Sequence, residues 1–283
     1  MEAARRSGEE IASTPRRGTA ARAWPLWAAE LVGTALLVAV GCSIVILDFG
    51  AGSPVAALLP DPGLRRALTG FLFGGTGALI AVSRVGKVSG AHLNPVVTLA
   101  FWLEDRLAGG VAAGYALAQL AGGLLGALPL LLWGAAGASV AYGATVPGPA
   151  GPWIATLGEA GATFGLVAGL FLFLGHPRLR RFTPGLFPFL YAFLVWAEAP
   201  LSGTSTNPAR TLGPGLVAGA LRQVWVYLLG PLAGTVAALA LRQGLPWART
   251  LEIRVAKVFH FGHDAYGIFT EKSAPSHRSA PGQ

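Results

Sequence analysis

Apolar stretches long enough to cross a bilayer recur along this chain between residues 26 and 241. A helix needs about 20 mostly apolar residues to span a hydrocarbon core about 30 Å thick, and inside that core every backbone N–H and C=O must find its partner within the protein. Only helical bundles and closed barrels satisfy that demand, and runs of this length select the bundle. Charged residues make up 12% of the chain and apolar ones 53%, against about 25% charged in soluble domains, so much of the surface faces lipid. Six spans are predicted, over residues 26–47, 67–82, 107–133, 153–174, 185–197 and 224–241, which makes the fold class an all-α membrane protein.

The formal net charge of +8 does not point to nucleic acid, because the basic residues form neither one face nor one block. Arg5, Arg6, Arg16, Arg17 and Arg22 precede the first span, and Arg178, Arg180 and Arg181 share one connection. Putting both termini in the cytoplasm leaves only Arg65, Arg66, Arg210 and Arg222 outside, which obeys the positive-inside rule. Residues 1–25 are then a disordered cytoplasmic N-terminal tail and 244–283 a cytoplasmic C-terminal tail, solvated or lying on the membrane surface. Cys42 is the sole cysteine, which excludes an intramolecular disulfide and a thiolate metal cluster. His260 and His263 lack carboxylate or cysteine neighbours at ligand spacing, and neither metal nor cofactor is expected.

Two apolar pieces, 94–103 and 207–220, are too short to cross. Ten helical residues reach about 15 Å, half of the core. They read as re-entrant half-helices, tolerated at that depth only where protein buries their ends or they line a watery cavity. They also head matching motifs, since Ser89-Gly90-Ala91-His92-Leu93-Asn94-Pro95 parallels Ser202-Gly203-Thr204-Ser205-Thr206-Asn207-Pro208, and Glu30 and Glu159 head corresponding spans. Three spans per copy invert the second copy relative to the first, giving repeat one over 26–134 and repeat two over 153–243. Asn94 and Asn207 are the only asparagines in the chain. Asn-Pro is a helix-start signal, with asparagine as cap and proline at the first helical position. Each carboxamide oxygen can cap its own helix while its NH2 remains a donor toward a pore. Two facing helix starts concentrate positive potential at the midplane.

The segments Ser89 to Val96 and Gly203 to Arg210, together with Glu30, Gln119, Glu159 and Gly230-Pro231, resemble the paired Asn-Pro-Ala signatures of the major intrinsic protein family, and the likeness covers about residues 28–243. It implies an aquaporin-like channel domain over 26–243, with six transmembrane helices and two re-entrant half-helices as an inverted repeat. It further implies a bacterial-type homotetramer in the plasma (cell inner) membrane that passes water and small neutral solutes such as glycerol or urea. Aquaporin-type pores are the standing example of cation exclusion by half-helix dipoles and an arginine. The resemblance places Asn94, Pro95, Val96, Asn207, Pro208 and Ala209 at the pore midplane. Val96 stands where alanine is usual, and reads as a local widening or repacking. Family spacing places Gly74, Val195, Thr204 and Arg210 at the outer constriction, and makes Glu30, His92, Gln119 and Glu159 supports of the two loops.

Several of these positions carry a second reading. Gly70, Gly74 and Ala78 form a stripe suited to helix contact, as do Gly161, Gly165 and Gly169. Without an aromatic residue or a histidine at positions 74 and 195 the constriction is expected to be wide, while a strictly water-selective channel stays open as the alternative. A secondary transporter also uses inverted repeats and broken helices, but each half-helix start here offers a neutral asparagine instead of a carboxylate. No nucleophile elbow, phosphate loop or metalloprotease motif speaks for an enzyme.

Overall fold

The computed structural model describes residues 23–251 and 253. Residues 1–22 of the predicted N-terminal tail and most of the predicted C-terminal tail, with His260 and His263, lie outside the described residues. Among these residues the chain forms twelve α-helices and no strand. Six helices are long: α1 (Trp24–Phe49), α3 (Pro62–Val82), α6 (Gly109–Ala127), α8 (Pro152–Gly175), α9 (Thr183–Ser202) and α11 (Val226–Gly244). Between them lie α2 (Pro54–Leu58), α4 (Arg84–Ser89), α5 (Pro95–Leu103), α7 (Gly134–Ala138) and α10 (Pro208–Val217), with α12 (Pro246–Arg249) last. Five of the long helices are long and apolar enough to cross a membrane. The exception, α3, carries Arg65 and Arg66 near its start.

Local chemistry explains where helix ends depart from the apolar runs. Helix α3 starts at Pro62 rather than 67 because Asp61 caps it, Oδ1 accepting the Leu64 N–H at 2.7 Å. Pro129 has no N–H to offer, so α6 stops at Ala127 and the chain tightens into a 3-10 helix over Leu128–Trp133. Helix α9 runs five residues beyond the predicted 197, through Glu198 and Pro200. It ends where Gly203 turns left-handed (φ 83°) and its N–H reaches the Ala199 carbonyl at 2.9 Å.

The long helices pair symmetrically, α1 on α6 and α8 on α11, while α3 packs on α9 across the two repeats. The half-helices α5 and α10 touch both α6 and α11 and meet each other at their starts. Glycine makes these pairings close. A Cβ on Gly126 would come within 2.2 Å of the Ala35 carbonyl oxygen, one on Gly234 within 2.2 Å of that of Ala160, and one on Gly70 within 2.1 Å of that of Tyr191. In lipid, where apolar surface gains nothing from leaving the solvent, such backbone approach supplies the dispersion contact that holds helices together. The stripe on α8 behaves differently from its sequence reading. Gly161 faces open space and Gly165 and Gly169 meet only leucine side chains at ordinary contact distances of 3.7 and 3.6 Å, so no backbone approaches there.

This contrast yields a matched pair. Gly234→Ala drives a methyl into a backbone carbonyl and should cost about 1–3 kcal/mol by overpacking. Gly161→Ala has room and should be neutral, or stabilising by up to ~1 kcal/mol through helix propensity. Thermal unfolding in detergent separates the two.

Candidate functional site

The two motif loops are backbone structures that few sequences adopt unaided. Ala91, Leu93, Thr204 and Thr206 all hold φ between 52° and 53°, a left-handed conformation costing about 1–3 kcal/mol for such residues. The alternation turns successive N–H groups to one side, where a buried glutamate collects them. Glu30 Oε1 accepts the His92 N–H at 2.9 Å and its Oε2 the Leu93 N–H at 2.7 Å. Gln119 Nε2 donates to Glu30 Oε2 at 2.7 Å and to Thr98 Oγ1 at 2.9 Å. In the second repeat Glu159 Oε1 accepts from the Ser205 N–H and the Ser202 hydroxyl, both at 2.6 Å, and Oε2 accepts the Thr206 N–H at 2.7 Å. The His92 ring stacks on Phe101 at 4.5 Å, with Nδ1 3.2 Å from the Thr98 hydroxyl.

Each asparagine caps its own half-helix. Asn94 Oδ1 accepts the Val96 N–H at 3.0 Å, and Asn207 Oδ1 accepts those of Ala209 at 3.0 Å and Arg210 at 3.4 Å. Their amides then cross over, Asn94 Nδ2 donating to the Thr206 carbonyl at 2.8 Å and Asn207 Nδ2 to the Leu93 carbonyl at 2.9 Å. Sequence reasoning leaves both NH2 groups to the pore, whereas the structure commits one hydrogen of each to locking the loops and leaves one. Pro95 and Pro208 open the two half-helices, and Val96 and Ala209 are both buried behind them.

A cavity of about 100 Å³ opens beside the asparagine pair. It is bounded by Asn94, Asn207 and His92 at one end and by Thr183 and Pro184 at the start of α9, with walls that include Leu37, Phe101 and Leu170. Arg210, Val195 and Thr204 do not border it. Arg210 is buried one turn into α10, with Nη1 donating to the Gly143 carbonyl at 2.8 Å and its guanidinium carbon 5.7 Å from the centre of the Phe73 ring. Phe73 in turn stacks on Tyr191 at 6.1 Å, and the Tyr191 hydroxyl pairs with Thr206 Oγ1 at 2.9 Å. Val195 is half-buried on α9 between Tyr191 and Glu198, which both bond to the second loop.

Gly74 borders the cavity together with Phe73 and Tyr191, and it also serves helix packing. A Cβ there would meet the Phe187 carbonyl oxygen at 2.3 Å, so Gly74 faces the backbone of α9, and the side chain beside Arg210 is that of Phe73. Three further participants escaped sequence reasoning. Tyr115 and Tyr227 donate equivalently to the Ser89 and Ser202 carbonyls, both at 2.7 Å. Glu198 accepts from Thr204 Oγ1 at 2.5 Å. The signal for Glu198 was a carboxylate just beyond the point where the fifth span was ended too early.

Comparison with known proteins agrees with this geometry. A family model described as Major intrinsic protein matches residues 19–241. The chain is 34% identical over 212 residues to Aquaporin NIP1-1 of Oryza sativa subsp. japonica, covering 74% of this chain and 70% of that one. It is 32% identical over 213 residues to Putative aquaporin NIP4-1 of Arabidopsis thaliana, with the same coverage. The X-ray structure of the aquaglyceroporin from Plasmodium falciparum matches with a TM-score of 0.64 at 18% identity, over 80% of this chain and 99% of that one, a likeness of fold.

Glu159→Gln tests the loop support. The amide puts an NH2 where an oxygen accepts backbone N–H groups, so at least one buried donor loses its partner, at about 1–3 kcal/mol each. The variant should melt lower in detergent and lose water permeability with it. A melting point equal to that of the unmodified protein would falsify the role.

Proposed function

The chain belongs to the major intrinsic protein family, and from that premise we propose that its pore passes water together with small uncharged solutes such as glycerol and urea, while excluding protons and ions. The observation that carries the reading is Arg210, a buried cation held beside Phe73 by a single backbone carbonyl. An arginine at membrane depth is costly unless it faces a polar path. Facing one, it donates to the oxygen of a passing molecule and repels cations. The free hydrogens of Asn94 and Asn207 offer further donors at the midplane. The mostly apolar walls of the cavity suit the CH face of a polyol.

In this reading Phe73, Val195, Thr204 and Arg210 line the constriction. Phe73 is also the observation that favours the water-selective alternative, since an aromatic ring now narrows a place that the glycine at 74 left open. The protein acts as a homotetramer with a pore in each subunit, in a plasma (inner) membrane with both termini cytoplasmic, supported by the arginine distribution and the family resemblance.

Stopped-flow swelling and shrinking of proteoliposomes under water, glycerol and urea gradients tests the reading, with a pH-sensitive dye inside to report proton leak. Water should move with one or both solutes and no protein-dependent proton flux; accumulation against a gradient would replace the channel by a transporter. Phe73→Ala should raise the glycerol-to-water ratio about tenfold, equivalent to ~1.4 kcal/mol of barrier. Arg210→Ala should admit cations while leaving detergent-stable assembly unchanged, because its side chain faces the path instead of a packed core.

A further inference from the structure

The two repeats correspond residue by residue through Ser89 to Pro95 and Ser202 to Pro208, and through Glu30 and Glu159. At three positions the correspondence breaks in concert. Where the first repeat has Ala29, Val85 and Ala91, the second has Gly158, Glu198 and Thr204. The first set is apolar, with Val85 and Ala91 packed against the cluster of Leu37, Phe73, Ile80 and Leu93. The second is a buried polar unit. Thr204 Oγ1 donates to Glu198 Oε2 at 2.5 Å. The carboxylate's other oxygen sits where a Cβ on residue 158 would approach to 2.5 Å, so glycine there makes room for the acid.

The fold does not require this carboxylate. The first repeat makes the same turn, with φ 52° at Ala91 against 53° at Thr204, over a valine. An acidic side chain within a span is costly, and Glu198 Oε1 finds no hydrogen-bond partner that would offset the cost. What the acid does accomplish concerns the threonine. A hydroxyl has one proton, and a carboxyl group in its ionised form only accepts. With its proton committed to Glu198, Thr204 can meet a permeating molecule only as an acceptor, whereas Arg210 can meet it only as a donor.

We infer that Glu198 is a positioning residue for solute specificity. By holding the Thr204 proton it turns the Arg210 side of the pore into a donor–acceptor pair, matched to neutral solutes that both donate and accept along one edge, as polyols and ureas do. The inference rests on the reading above that Thr204 and Arg210 face the permeant.

The test compares Glu198→Leu, Glu198→Gln, Thr204→Val and the Leu/Val double variant in proteoliposomes, by the ratio of glycerol to water permeability. Glu198→Leu and Thr204→Val should each lower that ratio about fivefold, the effect of one ordinary hydrogen bond, and the double variant should fall no further. Glu198→Gln, whose amide oxygen can still accept the Thr204 proton, should stay near the unmodified ratio, which a general loss of packing would not spare. An unchanged ratio in Glu198→Leu, independent addition in the double variant, or an equal fall in Glu198→Gln overturns the inference. If Glu198→Leu fails to assemble, Gly158→Ala crowds the carboxylate from the other side and should lower the ratio in the same direction; an unmodified ratio there overturns the inference equally. An unmodified protein that passes water but not glycerol removes this inference alone, and one that passes neither removes the channel reading as well.

Discussion

Everything in this architecture depends on two glutamates that hold broken backbone inside a membrane. A chain that stops a helix at mid-bilayer leaves N–H and C=O groups with no water to take them. Glu30 and Glu159 each receive two consecutive loop N–H groups, and the asparagine side chains receive the first N–H groups of the half-helices. A buried carboxylate is expensive alone, but each of these accepts at least three hydrogen bonds, the condition under which burial becomes tolerable. The left-handed residues of the loops persist because this network over-determines them.

The second constraint is distance. The crossed bonds from Asn94 to the Thr206 carbonyl and from Asn207 to the Leu93 carbonyl form only if both half-helices reach the same depth. Their position is set by α6 and α11, and these sit close to α1 and α8 because Gly122, Gly126, Gly230 and Gly234 present no side chain to the neighbouring backbone. Gly70 and Gly74 do the same between α3 and α9. Gly41 leaves the space occupied by the Phe73 ring, since a Cβ there would come within 2.3 Å of it. Close packing of the scaffold and the placing of one aromatic side chain beside Arg210 are thus parts of one arrangement.

That division explains what could be read from the sequence. The six long helices, the two half-helices and the asparagine pair were legible because each is a local signal: an apolar run, a short run, a capping dipeptide. Glu30 and Glu159 were legible as ionisable groups inside apolar spans, where any such residue demands a reason, and Gln119 was legible only through the family resemblance. Phe73 was not singled out because which side chain stands beside Arg210 depends on how α3 turns against α9, and a count of residues carries no such contact. Tyr115 and Tyr227 were missed because each reaches a loop about 25 residues away in sequence, and Glu198 because the fifth span was ended before it; a tyrosine within a span or an acid near a span's end has many ordinary uses. The α8 glycine stripe erred the other way, a helix-contact pattern whose face meets no backbone.

Internal symmetry separates scaffold from selectivity. Elements that both repeats share, the glutamates, the tyrosines on the loop carbonyls and the capping asparagines, all satisfy backbone. Three departures from symmetry gather beside the second loop. Arg210 corresponds to Val97, which lies in the apolar core cluster, and Glu198 and Thr204 correspond to Val85 and Ala91. The cavity on one side of the asparagine pair is accordingly walled by apolar side chains, while the charged and hydroxyl groups collect on the other. A molecule crossing such a path would exchange its hydration for directed donors and acceptors on the polar side, then slide past walls that hold it weakly. In the proposed reading, discrimination is therefore concentrated on the Arg210 side, and the opposite half is left free to be permissive.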